Sequence, residues 1–126
     1  MGFLIFGIFF ILFFMKYVYL FNVEGTDVYK IGNSKHPEHR KKEVQTSCPY
    51  RVNMVFRFES EYPTQVETAL HKKFGLQKED EDGRELQREF FYLSLDDREM
   101  FLESCQKLEN NFLILENNTY LQDKKK

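Results

Sequence analysis

Two short stretches rich in aromatic and β-branched residues, separated by four turn-forming residues, set the framework of this chain. Residues 16–23 read Lys-Tyr-Val-Tyr-Leu-Phe-Asn-Val, and residues 28–31 read Val-Tyr-Lys-Ile. Both compositions are typical of strands, and the intervening Glu24-Gly-Thr-Asp27 is typical of a tight turn. The pattern predicts a β-hairpin that ends at Gly32-Asn-Ser34.

The remainder of the chain predicts helices separated by one or two further strands. Pro37 and Pro63 suit the first turn of a helix, and Ser94 with Asp97 resembles a helix cap. In chain order we first expect a helix over 37–46, a strand over 52–58 and a helix over 63–75. A charged loop over 77–89 then leads to an edge strand or an aromatic plug over 90–93. The rest of the chain predicts an amphipathic helix over 94–108, a last strand or turn over 112–115 and a frayed polar tail over 117–126.

This order predicts an α+β fold, with a small, mostly antiparallel three-stranded sheet flanked by helices and preceded by an apolar segment. A chain of 126 residues, 42% of them hydrophobic, is long enough for one small core and too short for two. We expect a domain over 16–110 and a C-terminal extension over 111–126. The two cysteines form no disulfide framework, so we expect an intracellular protein.

The charge is unevenly distributed along the chain. Residues 16–57 carry a formal charge of +4 and residues 58–126 a charge of −6, which together give the net −2. This asymmetry predicts an anion-binding face rather than a uniformly basic protein.

Residues 1–15 contain no charged side chain and six of the fourteen phenylalanines. A bilayer span needs about 20 apolar residues, so this segment is short for one. It also lacks the basic start and the small-residue cleavage site of a signal peptide. Three interpretations stay open: a short membrane anchor, a translated upstream region with Met15 as the working start, and a buried helix or extra strand.

Two constellations could carry chemistry. Tyr17 and Tyr19 share one face of the first strand, and Arg40 follows Gly32 by eight residues. A phenol can relay a proton, and an arginine can bind phosphate, although both could equally be packing and surface residues.

The second constellation is Glu67 with His71, four residues apart on one helical face. The carboxylate could hold a divalent metal, and the imidazole could contact phosphate or transfer a proton. An ordinary exposed helix pair would show the same spacing. A third stretch, from Arg84 to Phe91, places charged residues before aromatic ones. A loop that leads into a strand would show the same composition.

Taken in chain order, these elements and candidate site residues resemble the GIY-YIG endonuclease superfamily. Within it they are most similar to the Orf-172-type DNA-binding domain of T-odd phages, a branch related to the meiotically up-regulated gene 113 family. The resemblance covers roughly residues 16–95. It rests on five motifs: Tyr17-Val-Tyr19, Tyr29-Lys-Ile-Gly32, Arg40, Glu67-Thr-Ala-Leu-His-Lys-Lys-Phe74 and Glu89-Phe-Phe91.

This resemblance implies DNA as the partner, a phage-like or mobile-element origin, and roles for individual residues. The nucleases of the superfamily cleave phosphodiesters with one divalent metal, Mg²⁺ or Mn²⁺. Tyr19 matches the tyrosine of the first motif, Arg40 the phosphate-stabilising arginine and Glu67 the metal ligand. His71 belongs to the pattern of this branch and is grouped with the catalytic residues.

The sequence also departs from the superfamily pattern. Lys30 stands where the second motif has tyrosine, and Tyr29 lies one place earlier. A shift of one residue turns a strand side chain to the opposite face, which makes Lys30 a candidate for the phosphate contact and leaves open whether Tyr29 enters the site. Tyr17 stands where the nucleases have glycine, and Phe90 where the branch usually has tryptophan.

Three functions follow from these observations. The first is a DNA-binding domain that contacts phosphates through a basic strip; the second is an active metal-dependent endonuclease. The third is a membrane-anchored interaction module with a vestigial site, in which residues 1–15 contact the membrane. The residues expected to contact DNA, beside Arg40, are Tyr17, Tyr29, Lys30, Lys35, Lys41 and Lys42.

Overall fold

A four-stranded antiparallel sheet forms the centre of the protein. The computed structural model describes residues 16–75, 77–79, 83–86 and 89–124. The strands lie in the order β3-β1-β2-β4. They are β1 (Lys16–Val23), β2 (Val28–Ser34), β3 (Val52–Ser60) and β4 (Phe90–Tyr92). The predicted hairpin is confirmed as β1 and β2, whose connecting turn contains Gly25 at a φ of 78°.

The sheet contains one strand more than the predicted three. Of the two structures predicted for residues 90–93, the edge strand is confirmed, because β4 pairs with the start of β2 from Val28↔Tyr92 to Lys30↔Phe90. β4 is only three residues long. The second half of β2 therefore extends beyond its neighbour, and this exposed edge becomes part of the site described below.

Four helices are present in the described part of the chain. They are α1 (Pro37–Thr46), α2 (Pro63–Lys73), α3 (Leu95–Glu99) and α4 (Phe101–Lys124). α1 and α2 each begin with proline in the first turn, as predicted. The Ser94 side chain accepts a hydrogen bond of 3.1 Å from the Asp97 backbone nitrogen, which confirms the predicted cap of α3.

The strand or turn predicted over 112–115 is wrong, and the fraying predicted for the polar tail over 117–126 is wrong up to residue 124. α4 continues through both segments to Lys124, and the expected boundary at residue 110 falls inside it. Phe101, Cys105, Leu108 and Phe112 recur at helical spacing, and all four contact the same core. The apolar stripe of the predicted 94–108 helix therefore extends one turn further than expected.

Two hydrophobic cores lie on opposite faces of the sheet. Val18, Leu20 and Tyr29 face the larger core, which α2 and α4 cover. Tyr19 and Phe21 face the smaller core, against which Val44 of α1 packs. Alternation along β1 thus sends neighbouring residues to different helices, and it places Tyr19 beneath α1.

Within the described residues, none of the helices has both the length and the hydrophobicity needed to cross a bilayer. The predicted apolar segment, residues 1–15, lies outside these residues, and so does the membrane anchor proposed for it.

Candidate functional site

Tyr19 and Gly32 lie opposite each other on β1 and β2, and the glycine leaves room for the tyrosine ring. A Cβ atom at position 32 would lie 2.3 Å from the Tyr19 hydroxyl oxygen and 2.5 Å from its Cζ atom. Tyr19 is 1% exposed, and its ring stacks on Phe21 with the centroids 4.0 Å apart. The Tyr19 ring is therefore held across the backbone of β2.

The Tyr19 hydroxyl oxygen accepts a hydrogen bond from the guanidinium of Arg40 on α1. Burial raises the pKa of Tyr19 to about 12, although the bond from Arg40 acts in the opposite direction. The same bond raises the pKa of Arg40 above its usual value. At neutral pH the pair is a protonated phenol and a guanidinium cation.

The other side of Arg40 reaches solvent. Its Nη1 atom donates to Oε2 of Glu43 at 3.0 Å, and the Arg40 side chain remains 43% exposed. An exposed ion pair of this kind contributes little to stability, so an incoming anion can replace Glu43 at small cost. Arg40 is thus fixed by a buried partner while part of its charge stays accessible.

Lys30 of β2 forms an ion pair with Glu89, the residue immediately before β4. Lys30 is 6% exposed, and its ammonium lies 5.3 Å from the ring centroid of Phe90. The phosphate contact expected of Lys30 is therefore not available in this arrangement, because the charge is buried and its partner is a carboxylate. Lys30 instead fixes the position of Glu89 beside β2.

A cleft of about 740 Å³ opens between α1, β2 and β4, next to this ion pair. The cleft walls combine both signs of charge with two hydroxyl groups and one aromatic ring. Its lining residues are Lys30, Arg40, Glu43, Val44, Thr46, Ser47, Glu89 and Phe90.

Glu67 approaches the same edge of the sheet from α2. Burial, and next the nearby charge of Glu89, raise the pKa of Glu67 above its usual value. Positive charges nearby and a hydrogen bond from Asn33 partly oppose this shift. The charges of Glu67 and Glu89 also help to raise the pKa of Tyr19. The three side chains therefore act on one another electrostatically, although they come from distant parts of the sequence.

His71, one turn after Glu67, closes the free edge of β2. Its Nε2 atom lies 2.9 Å from the carbonyl oxygen of Ile31, and because a carbonyl only accepts, Nε2 carries the proton. The Ile31 backbone nitrogen donates to the Glu89 carbonyl at 3.1 Å, so both polar groups of Ile31 point towards β4. The His71 ring packs near Phe91, at 5.1 Å between centroids. The Nε2–H group of His71 thus holds α2 against β2.

Tyr29 does not lie at the site. It is 3% exposed in the larger core, on the opposite face of β2 from Lys30, as the one-residue offset predicts. Its hydroxyl oxygen accepts a hydrogen bond from Arg98 Nη1 at 3.4 Å. A DNA contact through Tyr29 is therefore incompatible with its burial.

The remaining predicted DNA-contacting residues lie at or near the surface around α1. Tyr17 is partly buried, and the Arg57 guanidinium lies 5.2 Å from the centroid of its ring. Lys35 and Lys42 are exposed, whereas Lys41 is partly buried and lies 3.6 Å from Glu38.

Glu89 is the site residue that the sequence did not single out. It appears there only as part of the Glu89-Phe-Phe91 motif, yet it pairs with Lys30, lines the cleft and acts on the pKa values of Tyr19 and Glu67. The one signal in the sequence was a charged residue directly before two aromatic ones. Nothing local indicates that this carboxylate meets a lysine on β2.

The arrangement suits the binding of a phosphate by Arg40, with Glu67 as a carboxylate close by. No group of three or more histidine, cysteine, aspartate or glutamate side chains within the described residues is placed to hold a metal. A cation held only by protein ligands therefore does not fit. Mg²⁺ usually keeps several waters and takes one or two carboxylates, and Glu67 can supply one of these.

Comparison with known families identifies a matching family model. The family model described as the T5orf172 domain matches residues 16–109, which is more than half of the chain and includes the whole site. No curated protein and no solved structure matches the chain.

Proposed function

Because the chain belongs to the T5orf172 domain family, we propose that it is a DNA-binding domain of GIY-YIG architecture that contacts the phosphate backbone around Arg40. The resemblance to nuclease-related DNA-binding domains supports DNA as the ligand. The observation that carries the proposal is the Tyr19–Arg40 pair: a buried phenol orients a guanidinium whose other edge remains exposed.

The surroundings of Arg40 favour a polyanion over a small anion. Lys42 and Lys35 are exposed near it, and Lys41 lies on the same helix. Contacts of this kind position the protein along DNA without reading its sequence. Binding is therefore salt-sensitive and weakly sequence-specific.

Fluorescence anisotropy with a labelled DNA duplex at low salt tests this proposal. We expect Arg40→Ala to weaken binding about tenfold, because it removes a charge-assisted hydrogen bond to phosphate. Lys107→Ala is the matched control, since Lys107 is an exposed cation on α4, which covers the opposite face of the sheet. Absence of wild-type binding at low salt, or equal loss in both variants, would refute the proposal.

A second candidate function is metal-dependent cleavage of DNA. Glu67 favours it, because a carboxylate whose pKa is raised by burial and by Glu89 is stabilised when a cation binds. When bound, Mg²⁺ would supply positive charge next to the phosphate. Glu67 would hold the metal, Arg40 would bind the phosphate, and the buried Tyr19 would orient Arg40.

Incubation of the full chain with supercoiled plasmid and Mg²⁺ or Mn²⁺ separates the two functions. Nicking that is lost in Glu67→Gln, while gel retardation persists, would establish an endonuclease. Retardation without nicking in the wild type would leave a binding domain. Nicking that persists in Glu67→Gln would remove Glu67 from the metal-binding role.

A further inference from the structure

We infer that the cleft beside Arg40 receives a single unpaired nucleotide, so that the domain binds DNA with an unpaired base more tightly than continuous duplex. This inference rests on the proposed DNA-binding function and names its preferred substrate class. It is carried by the depth of the cleft and by the chemistry of its walls.

The accessible and buried charges of the cleft lie at different depths. The Arg40 side chain is 43% exposed at the rim, whereas that of Lys30 is 8% exposed at the base. The backbone of a duplex can reach the rim, but its bases remain stacked and paired inside the double helix. Only a nucleotide that has left the stack can extend from Arg40 to the base of the cleft.

Next to Lys30, the cleft is lined by groups that can recognise a nucleobase. Phe90 is partly exposed there, and its ring offers an aromatic surface for stacking. Glu89 is 36% exposed and can accept hydrogen bonds from the amino group of a base. A site for phosphate alone would need neither an aromatic ring nor a carboxylate.

The size of the cleft also fits one nucleotide. Its volume of about 740 Å³ lies within the range of pockets that enclose one small organic ligand. The hydroxyls of Thr46 and Ser47 line the wall contributed by α1, where they can bind the sugar or base edges.

The experiment compares two labelled DNAs of the same duplex sequence, one blunt and one with a three-nucleotide single-stranded flap, by anisotropy with the full chain. We expect the flapped DNA to bind about tenfold more tightly, the size of one base stacked on an aromatic ring. Phe90→Leu keeps an apolar side chain in β4 but removes the ring. It should abolish most of this preference, which is measured for each variant as the ratio of its affinities for the flapped and the blunt DNA.

Two further variants test whether the aromatic ring in the cleft is what produces the preference. Phe90→Tyr restores the ring and should restore the preference. Tyr50→Leu removes an aromatic residue that is 63% exposed outside the cleft, and it should have no effect. If Phe90→Leu does not fold, the comparison of the two DNAs with wild-type protein remains decisive.

The outcomes also separate this inference from the function it rests on. Equal binding of blunt and flapped DNA, or a preference that persists in folded Phe90→Leu, would overturn the inference and leave DNA binding intact. Failure of both DNAs to bind would overturn both.

Discussion

At the scale of single residues, Gly32 is important because of the side chain that it lacks. Tyr19 occupies the space in which a Cβ atom would lie, at 2.3 Å from its hydroxyl oxygen. That space lies between a β-strand and a stacked aromatic ring, so the tyrosine has little freedom to move away. Position 32 thus determines where the partner of Arg40 lies.

We predict that Gly32→Ala destabilises the protein by about 1–3 kcal/mol, the usual cost of forcing extra volume into a packed site. Urea unfolding followed by circular dichroism measures this change. Gly75→Ala is the comparison, because its added Cβ would lie 3.2 Å from the His71 carbonyl oxygen, a tight contact that is less severe than the one at position 32, so we expect a smaller loss. Equal stability of the two variants would show that Tyr19 moves freely.

Ionisation of Glu67 is expected to lower the free energy of unfolding. Its pKa is raised above the usual 4.5 by burial and by Glu89. The stability that the neutral carboxyl contributes is present below that usual value and is lost as the pH rises through the raised pKa. Glutamine resembles the neutral carboxyl and does not ionise.

We therefore predict that Glu67→Gln is more stable than the wild type at pH 7 and that this advantage disappears at pH 3.5. Thermal unfolding across this range in low salt measures the effect. Glu61→Gln, at an exposed position, should show no such pH dependence. A Glu67→Gln variant that is less stable at pH 7 would mean that Glu67 stabilises the fold through its charge.

At the scale of secondary-structure elements, a buried carboxylate fastens α4 to the sheet. Glu109 is 7% exposed, and its two oxygens accept hydrogen bonds from the Ser60 hydroxyl at 2.5 Å and the Glu61 backbone nitrogen at 2.8 Å. Ser60 ends β3, and Glu61 begins the connection to α2. One side chain thus joins three elements.

We expect Glu109→Ala to reduce the free energy of unfolding by about 2–3 kcal/mol, because it leaves one buried and one partly buried donor without their acceptor. Glu109→Gln keeps one carbonyl acceptor and should lose less. Urea unfolding measures both variants against Glu103→Ala, which removes only an exposed pair with Lys107. A loss no larger than that of the control would contradict the proposed role.

Local sequence predicts the positions of most helices and strands well, but it does not predict which strands pair with each other. The hairpin, the proline-initiated helices and the Ser94 cap depend on neighbouring residues, and the structure confirms them. Pairing of β4 with β2 joins residues about sixty positions apart, and no local pattern indicates it. The length of α4 was missed because its last packed residue, Phe112, is followed by a run of apolar residues that also suits a strand.

At the scale of the whole molecule, the uneven charge of the sequence corresponds to the two faces of the sheet. Arg40 and Lys42 lie on α1, over one face, whereas α4, over the other face, contains more acidic than basic residues. A negatively charged polymer is therefore attracted more strongly to α1 than to α4.

We predict that the logarithm of DNA affinity falls with the logarithm of salt concentration with a slope of about −3 to −4, as expected for about four phosphate contacts. These contacts are assigned to Lys35, Arg40, Lys41 and Lys42. Anisotropy titrations between low and physiological salt measure the slope, and Arg40→Ala should reduce it by about one. A slope near zero would show that DNA is not bound through its phosphates.

The composition of the site shows how far sequence can take such a prediction. Resemblance singled out Tyr19, Arg40 and Glu67, and the structure places Arg40 and Glu67 near enough to Tyr19 to act on its pKa. The Lys30–Glu89 pair was not foreseen, because it joins residues that are fifty-nine positions apart. Tyr29 is buried because alternate residues of a strand face opposite sides of the sheet. The motif by itself does not show to which side Tyr29 points.

The hydrogen bond from His71 to Ile31 also affects the tendency of the protein to aggregate at high concentration. β2 extends beyond β4, and a strand edge with free backbone groups can recruit a strand from another molecule. Here an imidazole occupies the carbonyl at which such a strand would begin to pair. The protein can thus leave one side of β2 open to a ligand without offering it as a template for aggregation.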